Sequence, residues 1–362
     1  MTPLRVVIAG GGTGGHLYPG IAVARELLAR RPDATVTFAG TTRGIESRVV
    51  PREGFQLDVL RSAGLKGMSP SALLRGLGLI PLGILDALRI LSRRTPDLVI
   101  GVGGYSSGPV LFAAVVRRLP TLVLEQNAVP GLTNRLLSRL VDAAAVTFES
   151  TVSFFGRRGF VAGNPVRPEF FATESEQAGP REGPPRILIF GGSQGAHAIN
   201  LAMVEAAPRL AAAGGVDITH QTGERDLELV RRAYGDAGIA ARVEPFLFAM
   251  DREMKRADVI VCRAGATTIA ELTAAGRVAV LIPLPTAADD HQRRNAEVLA
   301  AAGAAELIEQ KNLTGELLAR HILALAADPA RRAAIAEAAR RFARPDAAKV
   351  IVDRALRLLS AA

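Results

Sequence analysis

Two stretches that read alike decide the fold: Val6-Val-Ile-Ala-Gly-Gly-Gly-Thr-Gly-Gly-His16, and later Ile187-Leu-Ile-Phe-Gly-Gly-Ser-Gln-Gly-Ala-His197. Each opens with a short apolar run of the kind buried on both faces of a parallel sheet. Each then breaks into glycines and enters a helical period, expected over Ile21–Ala29 and Ala198–Ala213. Outward from the first run, strands are expected at Arg5–Ala9, Thr35–Ala39, Leu98–Gly101, Thr121–Leu124 and Ala144–Thr147. Around the second they are expected at Arg186–Phe190, Val216–His220, Val243–Phe246, Val259–Cys262 and Ala279–Ile282. Strands alternating with helices mean βαβ units and a parallel sheet. Between the halves, Thr173 to Pro185 is rich in Pro, Gly and charge and lacks an apolar period, as a linker does. The expected architecture is α/β: two Rossmann-like doubly wound domains, 1–172 and 186–340, facing an interdomain cleft. A final helix within 341–362 is a candidate to pack back on the first domain.

Composition supports that organisation. A chain of 362 residues, 49% hydrophobic, has ample core for two domains. Trp is absent and aromatics are 4%, so Ala, Val, Leu and Ile must build the core. The single cysteine, Cys262, excludes an intrachain disulfide and reads as a buried thiol in a strand. The net charge of +9 favours anionic partners. It is unevenly placed: between Arg61 and Arg118 eight Lys/Arg face two acids, Asp86 and Asp97. The N-terminus enters a strand directly, without the pattern of a signal peptide, and no uncharged apolar run reaches bilayer length, so a cytosolic or peripheral protein is expected.

The chemistry concentrates where strands end. Glycines 10–15 let the backbone approach a diphosphate, and the helix after them presents N–H groups. Gly10, Gly12 and Gly15 also fit the dinucleotide pattern G-x-G-x-x-G, but the strand Thr35–Ala39 is followed by Gly40, Thr41, Thr42 and Arg43, with no acid to hold a ribose. His16 follows the loop; it either caps the turn or, as a neutral imidazole, accepts a proton from an attacking hydroxyl. In the second loop, Ser193 and Gln194 suit phosphate or sugar oxygens, or an N-cap.

Arg263-Ala-Gly-Ala-Thr-Thr-Ile-Ala-Glu271 follows a strand, and Glu271 lies a turn into the expected helix Thr267–Ala275, where a carboxylate can accept both ribose hydroxyls. Gln292 and Asn295, three apart, share a helical face and carry amides that read sugar hydroxyls. His291, Asp289 and Asp290 do not make an evident metal cluster. Glu125-Gln-Asn127, Gly103-Gly-Tyr-Ser-Ser-Gly-Pro109 and Gly163-Asn-Pro-Val-Arg167 end other strands of the first half or precede the linker, and Arg167 is placed to meet a diphosphate.

Taken in order, these six motifs make the chain resemble the MurG family, the N-acetylglucosaminyltransferases of bacterial peptidoglycan synthesis, from Arg5 past Asn295. The resemblance implies a GT-B fold, UDP-N-acetylglucosamine as donor, lipid I (undecaprenyl-diphosphate-N-acetylmuramyl-pentapeptide) as acceptor and lipid II as product. It implies no cofactor and no catalytic metal. By motif match, Thr13, Gly14, Gly15, Asn127, Arg167, Ser193, Gln194 and the run Gly265, Ala266, Thr267, Thr268, Ile269 and Ala270 would bind the donor. Glu271 would hold the ribose, Leu247 would read uracil through its backbone, and Gln292, in competition with His291, would read the sugar. His16 is the preferred base.

Ser71–Ser92 carries Leu73, Leu77, Ile80, Ile84, Leu88 and Leu91 on one helical face and Leu74, Leu82 and Leu85 on a second stripe. With Arg75, Arg89, Arg93 and Arg94 nearby, it suits docking on the anionic cytoplasmic face of the inner membrane, burial on the sheet, or both. Pro81 is expected to break or kink it. The loop Gly64–Met68 would border the acceptor path. Rival readings are an NADP-dependent oxidoreductase, using Gly10–Gly15 and Arg43, a non-enzymatic basic protein that binds nucleic acid or membrane, and, nearer, a sibling transferase using another lipid or another UDP-sugar. The absent acid after the second strand disfavours the first, and the scarcity of aromatics the second.

Overall fold

The computed structural model describes residues 3–62, 70–171, 183–192 and 195–360, with 70–77 as backbone alone. The chain forms two compact units: residues 1–166 together with 344–362, and residues 167–343. The expected linker lies mostly outside the described residues, as do Ser193, Gln194 and the loop Gly64–Met68.

The first unit is built on seven parallel strands: β1 (Arg5–Gly10), β2 (Thr35–Gly40), β3 (Gln56–Val59), β4 (Leu98–Gly103), β5 (Thr121–Glu125), β6 (Ala143–Val146) and β7 (Gly159–Val161). Their order is β3-β2-β1-β4-β5-β6-β7. Helices α1 (Gly14–Arg30), α2 (Glu46–Arg52), α3 (Pro70–Arg94), α4 (Ser107–Val116), α5 (Leu132–Leu137) and α6 (Val152–Phe155) connect them. The order reverses direction between β1 and β4, the switch point outside which doubly wound sheets bind ligands. Alternate residues of β1 go to opposite faces: Val6 and Ile8 pack under α1, and Val7 and Ala9 pack with Ile90, Leu91 and Leu111 of α3 and α4. Helix α3 runs on through Pro81 without the expected break. It buries Ala87, Ile90 and Leu91 and exposes Ile80, Leu82 and Leu85.

The second unit repeats the plan with β8 (Arg186–Phe190), β9 (Asp217–Gln221), β10 (Ala241–Glu244), β11 (Val259–Cys262), β12 (Val278–Leu281) and β13 (Glu306–Leu307). Their order is β10-β9-β8-β11-β12-β13, all parallel, with the switch point between β8 and β11. Its helices are α7 (His197–Ala213), α8 (Leu227–Asp236), α9 (Met250–Arg256), α10 (Ala266–Ala275), α11 (His291–Ala301), α12 (Gly315–Ala327) and α13 (Pro329–Arg340). The last helix, α14 (Ala347–Ser360), belongs to the first unit. Its Ile351, Val352 and Ala355 are fully buried in one cluster with Leu17, Ile21 and Ala24 of α1, and Arg30 pairs with Asp353.

Candidate functional site

In the first unit the loop after β1 lies at the switch point. Gly10, Gly11 and Gly12 all have φ in the range that disfavours side chains, from +87° to +148°. A Cβ on Gly10 would stand 2.4 Å from the Gly103 carbonyl oxygen, so the loops after β1 and β4 touch through glycine backbone. Buried Glu46, on α2, accepts the Gly12 N–H at 2.8 Å and the Thr41 N–H and O–H at 2.9 Å each. Helix α1 begins at Gly14, well before the expected Ile21, and tolerates Pro19 in its second turn. His16 is therefore the third residue of α1. Its ring packs on Gly103, where a Cβ would come within 2.7 Å of the imidazole, and its Nδ1 lies 3.2 Å from the Thr13 hydroxyl. Thr13 is the N-cap residue, but its side chain makes no capping bond to the helix.

At the end of β5, Glu125 is buried and accepts four donors: the Asn127 N–H and amide at 3.0 and 3.2 Å, the Gly131 N–H at 3.0 Å and the Asn134 amide at 2.9 Å. Burial pushes its carboxyl above the usual range, and those hydrogen bonds pull the other way. Glu125 thereby fixes the turn that carries Asn127. Neither this role nor that of Glu46 was legible beforehand, since the sequence signal was the motif and not the partner.

In the second unit, Gly195 holds φ +72°, and a Cβ there would lie 1.8 Å from the Thr222 carbonyl oxygen. The Gln221 amide donates to the Gly192 carbonyl at 2.8 Å. Beneath the loop runs a buried polar chain. The Asn200 amide donates to the Thr222 carbonyl and to Asp226, and its oxygen lies 3.0 Å from His220 Nε2. His220 Nδ1 lies 2.9 Å from the Tyr234 hydroxyl. Because the Asn200 oxygen can only accept, Nε2 carries the proton and Tyr234 donates to Nδ1. Burial lowers the His220 pKa to about 3 and raises that of Tyr234.

The second switch-point loop is Arg263–Gly265. Arg263 donates to the Ile282 and Pro283 carbonyls at 3.0 and 3.2 Å, and burial lowers its pKa. Gly265 is the extended N-cap of α10, with Ala266, Thr267 and Thr268 half-buried in the first turn. Ile269 and Ala270 turn into the core, and the Ile269 N–H donates to the Gly265 carbonyl at 2.9 Å. Glu271 is half-buried; burial raises its pKa to about 7, while the charge of Arg167 acts to lower it. Arg167 falls in this second unit, its guanidinium 5.0 Å from the centre of the Phe170 ring.

Gln292 and Asn295 do share a face of α11, and both grip the same loop. The Gln292 oxygen accepts the Ala264 and Leu284 N–H groups at 3.3 and 3.0 Å, and the Asn295 amide donates to the Ala264 carbonyl at 3.3 Å. The Gln292 oxygen is thus engaged by backbone, and its NH2 group is the end suited to a sugar oxygen. His291 Nδ1 is held to the Ala288 carbonyl at 2.6 Å. Leu247 is buried, beside Phe248, which is 93% exposed. Cys262 is fully buried and its thiol pKa is raised by that burial. Among the described residues no group of three or more His, Cys, Asp or Glu side chains is arranged to hold a metal ion, and no helix is long and apolar enough to cross a membrane.

Residues 6–146 match the glycosyltransferase family 28 N-terminal domain and residues 186–351 its C-terminal domain. The chain also resembles the solved structure of Acinetobacter baumannii MurG, with TM-score 0.82, 32% identity and coverage of 98% of this chain and 100% of that one. A UDP-GlcNAc 2-epimerase from Neisseria meningitidis, 17% identical with TM-score 0.69 over 98% of this chain and 100% of that one, shares the fold. The two all-parallel Rossmann-like units have the GT-B fold, and the family 28 matches over both make the chain a glycosyltransferase.

Curated relatives narrow the class. Proteins from Pelobacter propionicus (49% identity, 98% of this chain and 99% of the relative) and Geobacter sulfurreducens (47%, 97% of each) are named UDP-N-acetylglucosamine--N-acetylmuramyl-(pentapeptide) pyrophosphoryl-undecaprenol N-acetylglucosamine transferases. The chain belongs to this family, the MurG transferases.

Proposed function

We propose that the chain transfers N-acetylglucosamine from UDP-N-acetylglucosamine to the 4-hydroxyl of the muramyl sugar of lipid I, forming lipid II with inversion and a β-1,4 link. The observation that carries this reading is end-to-end likeness to transferases of that name, at 49% identity. The first unit takes the acceptor, and the second supplies most of the donor contacts. The acceptor oxygen attacks the anomeric carbon as the bond to the UDP oxygen breaks. With Nδ1–H given to the Thr13 hydroxyl, His16 Nε2 holds the lone pair that receives the acceptor proton. Arg167 and the N–H groups at the starts of α1 and α10 offset charge on the departing diphosphate, each such donor being worth about 3–4 kcal/mol. Donor contacts come from Thr13, Gly14, Gly15, Asn127, Ser193, Gln194, Leu247, Gly265 to Ala270 and the NH2 of Gln292, with Glu271 accepting the ribose hydroxyls.

The enzyme works peripherally at the cytoplasmic face of the inner membrane. Exposed Ile80, Leu82 and Leu85 on α3, Phe112 and Val116 on α4, and Leu132 and Leu136 on α5 support this, with Arg89 exposed beside them. The test is transfer of labelled sugar from UDP-N-acetylglucosamine to lipid I, with UDP-glucose as competitor donor. Wild-type turnover and a roughly 100-fold loss in His16→Ala are expected. Transfer to a different lipid, or from UDP-glucose in preference, would replace the substrate assignment. Near-normal turnover of His16→Ala would remove His16 as base.

A further inference from the structure

Glu46, like Glu125, is a carboxylate of the first unit buried among uncharged donors, and it is the one set behind the glycine loop after β1. It is fully buried, and glycines of two segments, the loop after β1 and the β2–α2 connection, close on it: a Cβ on Gly11 would lie 2.5 Å from its carboxyl carbon, one on Gly40 2.7 Å from its Cγ, and one on Gly44 2.0 Å from Oε2. Its donors are uncharged: the Gly12 N–H on Oε2, and the Thr41 N–H and O–H on Oε1. Burying a carboxylate on neutral donors is costly, and a fold that only needed to fill this space would do so better with an apolar side chain. What the carboxylate adds is direction. It draws the Gly12 N–H inward and fixes φ of +148° and +87° at Gly11 and Gly12. Those two residues lead directly into Thr13, whose hydroxyl meets His16.

We propose that Glu46 is a positioning residue for sugar transfer: through the Gly12 N–H it sets the loop that aims Thr13 and the His16 imidazole. The proposal rests on the reading above that His16 takes part in the transfer. A carboxylate is required because both oxygens face donors. Glu46→Gln keeps the volume but turns an NH2 group toward one of those N–H groups, so the loop loses its anchor.

The experiment is a double-mutant cycle on full-length protein with lipid I: wild type, Glu46→Gln, His16→Ala and the pair, each with kcat and KM for UDP-N-acetylglucosamine. Glu46→Gln is expected to lower kcat at least tenfold with KM changed less than threefold, and to add less than threefold to the loss already present in His16→Ala. A full multiplicative loss in the double variant, or a KM rise without a kcat change, overturns the proposal. Normal turnover of His16→Ala alone would instead sink the reading on which it rests. Should Glu46→Gln fail to fold, Thr41→Val, which removes one donor to the same carboxylate and lies behind the loop, takes its place in the cycle. It is expected to show the same kcat-only loss to a lesser degree, and an unchanged kcat there refutes the proposal.

Discussion

Donor affinity should depend on pH through Glu271. Burial raises this carboxyl from 4.5 to about 7, and Arg167 only partly opposes the shift. A ribose diol donates two hydrogen bonds, and only the ionised carboxylate accepts both. A group with a pKa near 7 is about 10% ionised at pH 6 and about 90% ionised at pH 8. The Kd for UDP-N-acetylglucosamine should therefore rise about tenfold between pH 8 and pH 6, with nearly one proton released on binding at the lower pH. The diphosphate of the intact donor is a diester that does not titrate in this range, so the slope belongs to the protein. Calorimetry in two buffers of unlike ionisation enthalpy reads affinity and proton release together. Glu271→Gln should bind more weakly at pH 8 and lose the slope. A flat wild-type Kd, or the same slope in the variant, refutes the reasoning. The sign for folding runs the other way: a carboxyl with a raised pKa makes the unliganded unit lose stability as pH climbs from 4.5 through about 7.

Three further outcomes are expected. Gly195→Ala forces a Cβ 1.8 Å from the Thr222 carbonyl at φ +72° and should destabilise the second unit by roughly 2–4 kcal/mol, read as a drop in its thermal midpoint; an unchanged midpoint would mean the loop is held differently. His220, whose folded pKa is depressed to about 3, contributes stability that is full above about 6.5 and lost as pH falls toward 3. At pH 4 the second unit should have lost roughly 3 kcal/mol that a His220→Gln variant does not lose, measured by urea unfolding at pH 7 and pH 4. Binding to anionic vesicles should weaken as salt is raised, whereas equal binding to neutral vesicles would rule out the electrostatic part.

The central strands were readable because burial on both faces leaves no room for polar residues: β1, β8 and β11 stand where their apolar runs stand. What sequence missed lies at sheet edges. Strands β3, β7 and β13 are short and only partly covered, so Gln56–Val59, Gly159–Val161 and Glu306–Leu307 never show a continuous apolar run. Strand β10 was expected two residues late, because Pro245 and Phe246 extend the apolar look of a segment whose ladder ends at Glu244. The start of α1 was hidden by Pro19 and by glycines that usually end helices rather than begin them.

The glycine loops at the strand ends were legible as motifs, because backbone at positive φ demands glycine. Their supports were not. Glu46 lies 34 residues from the Gly12 it holds, and Asn295 lies 31 from Ala264. Such pairs are set by topology, which a linear pattern does not encode. The amide pair on α11 was read as facing sugar, but Asn295 proves to be fully buried and, with the Gln292 oxygen, to brace the Ala264 loop.

The return of α14 to α1 also orders events during synthesis. The second unit is an insertion within the first, so its residues 167–343 are all made before the first unit receives its last helix. The ribosome therefore releases a chain whose later-coded unit can finish folding ahead of the one that began first. Until Ile351, Val352 and Ala355 arrive, the α1 surface that carries His16 at one end is left uncovered. A nascent chain cut short within α14 would leave that apolar stripe open to chaperones and proteases, so only a chain translated through this helix gives a settled first unit.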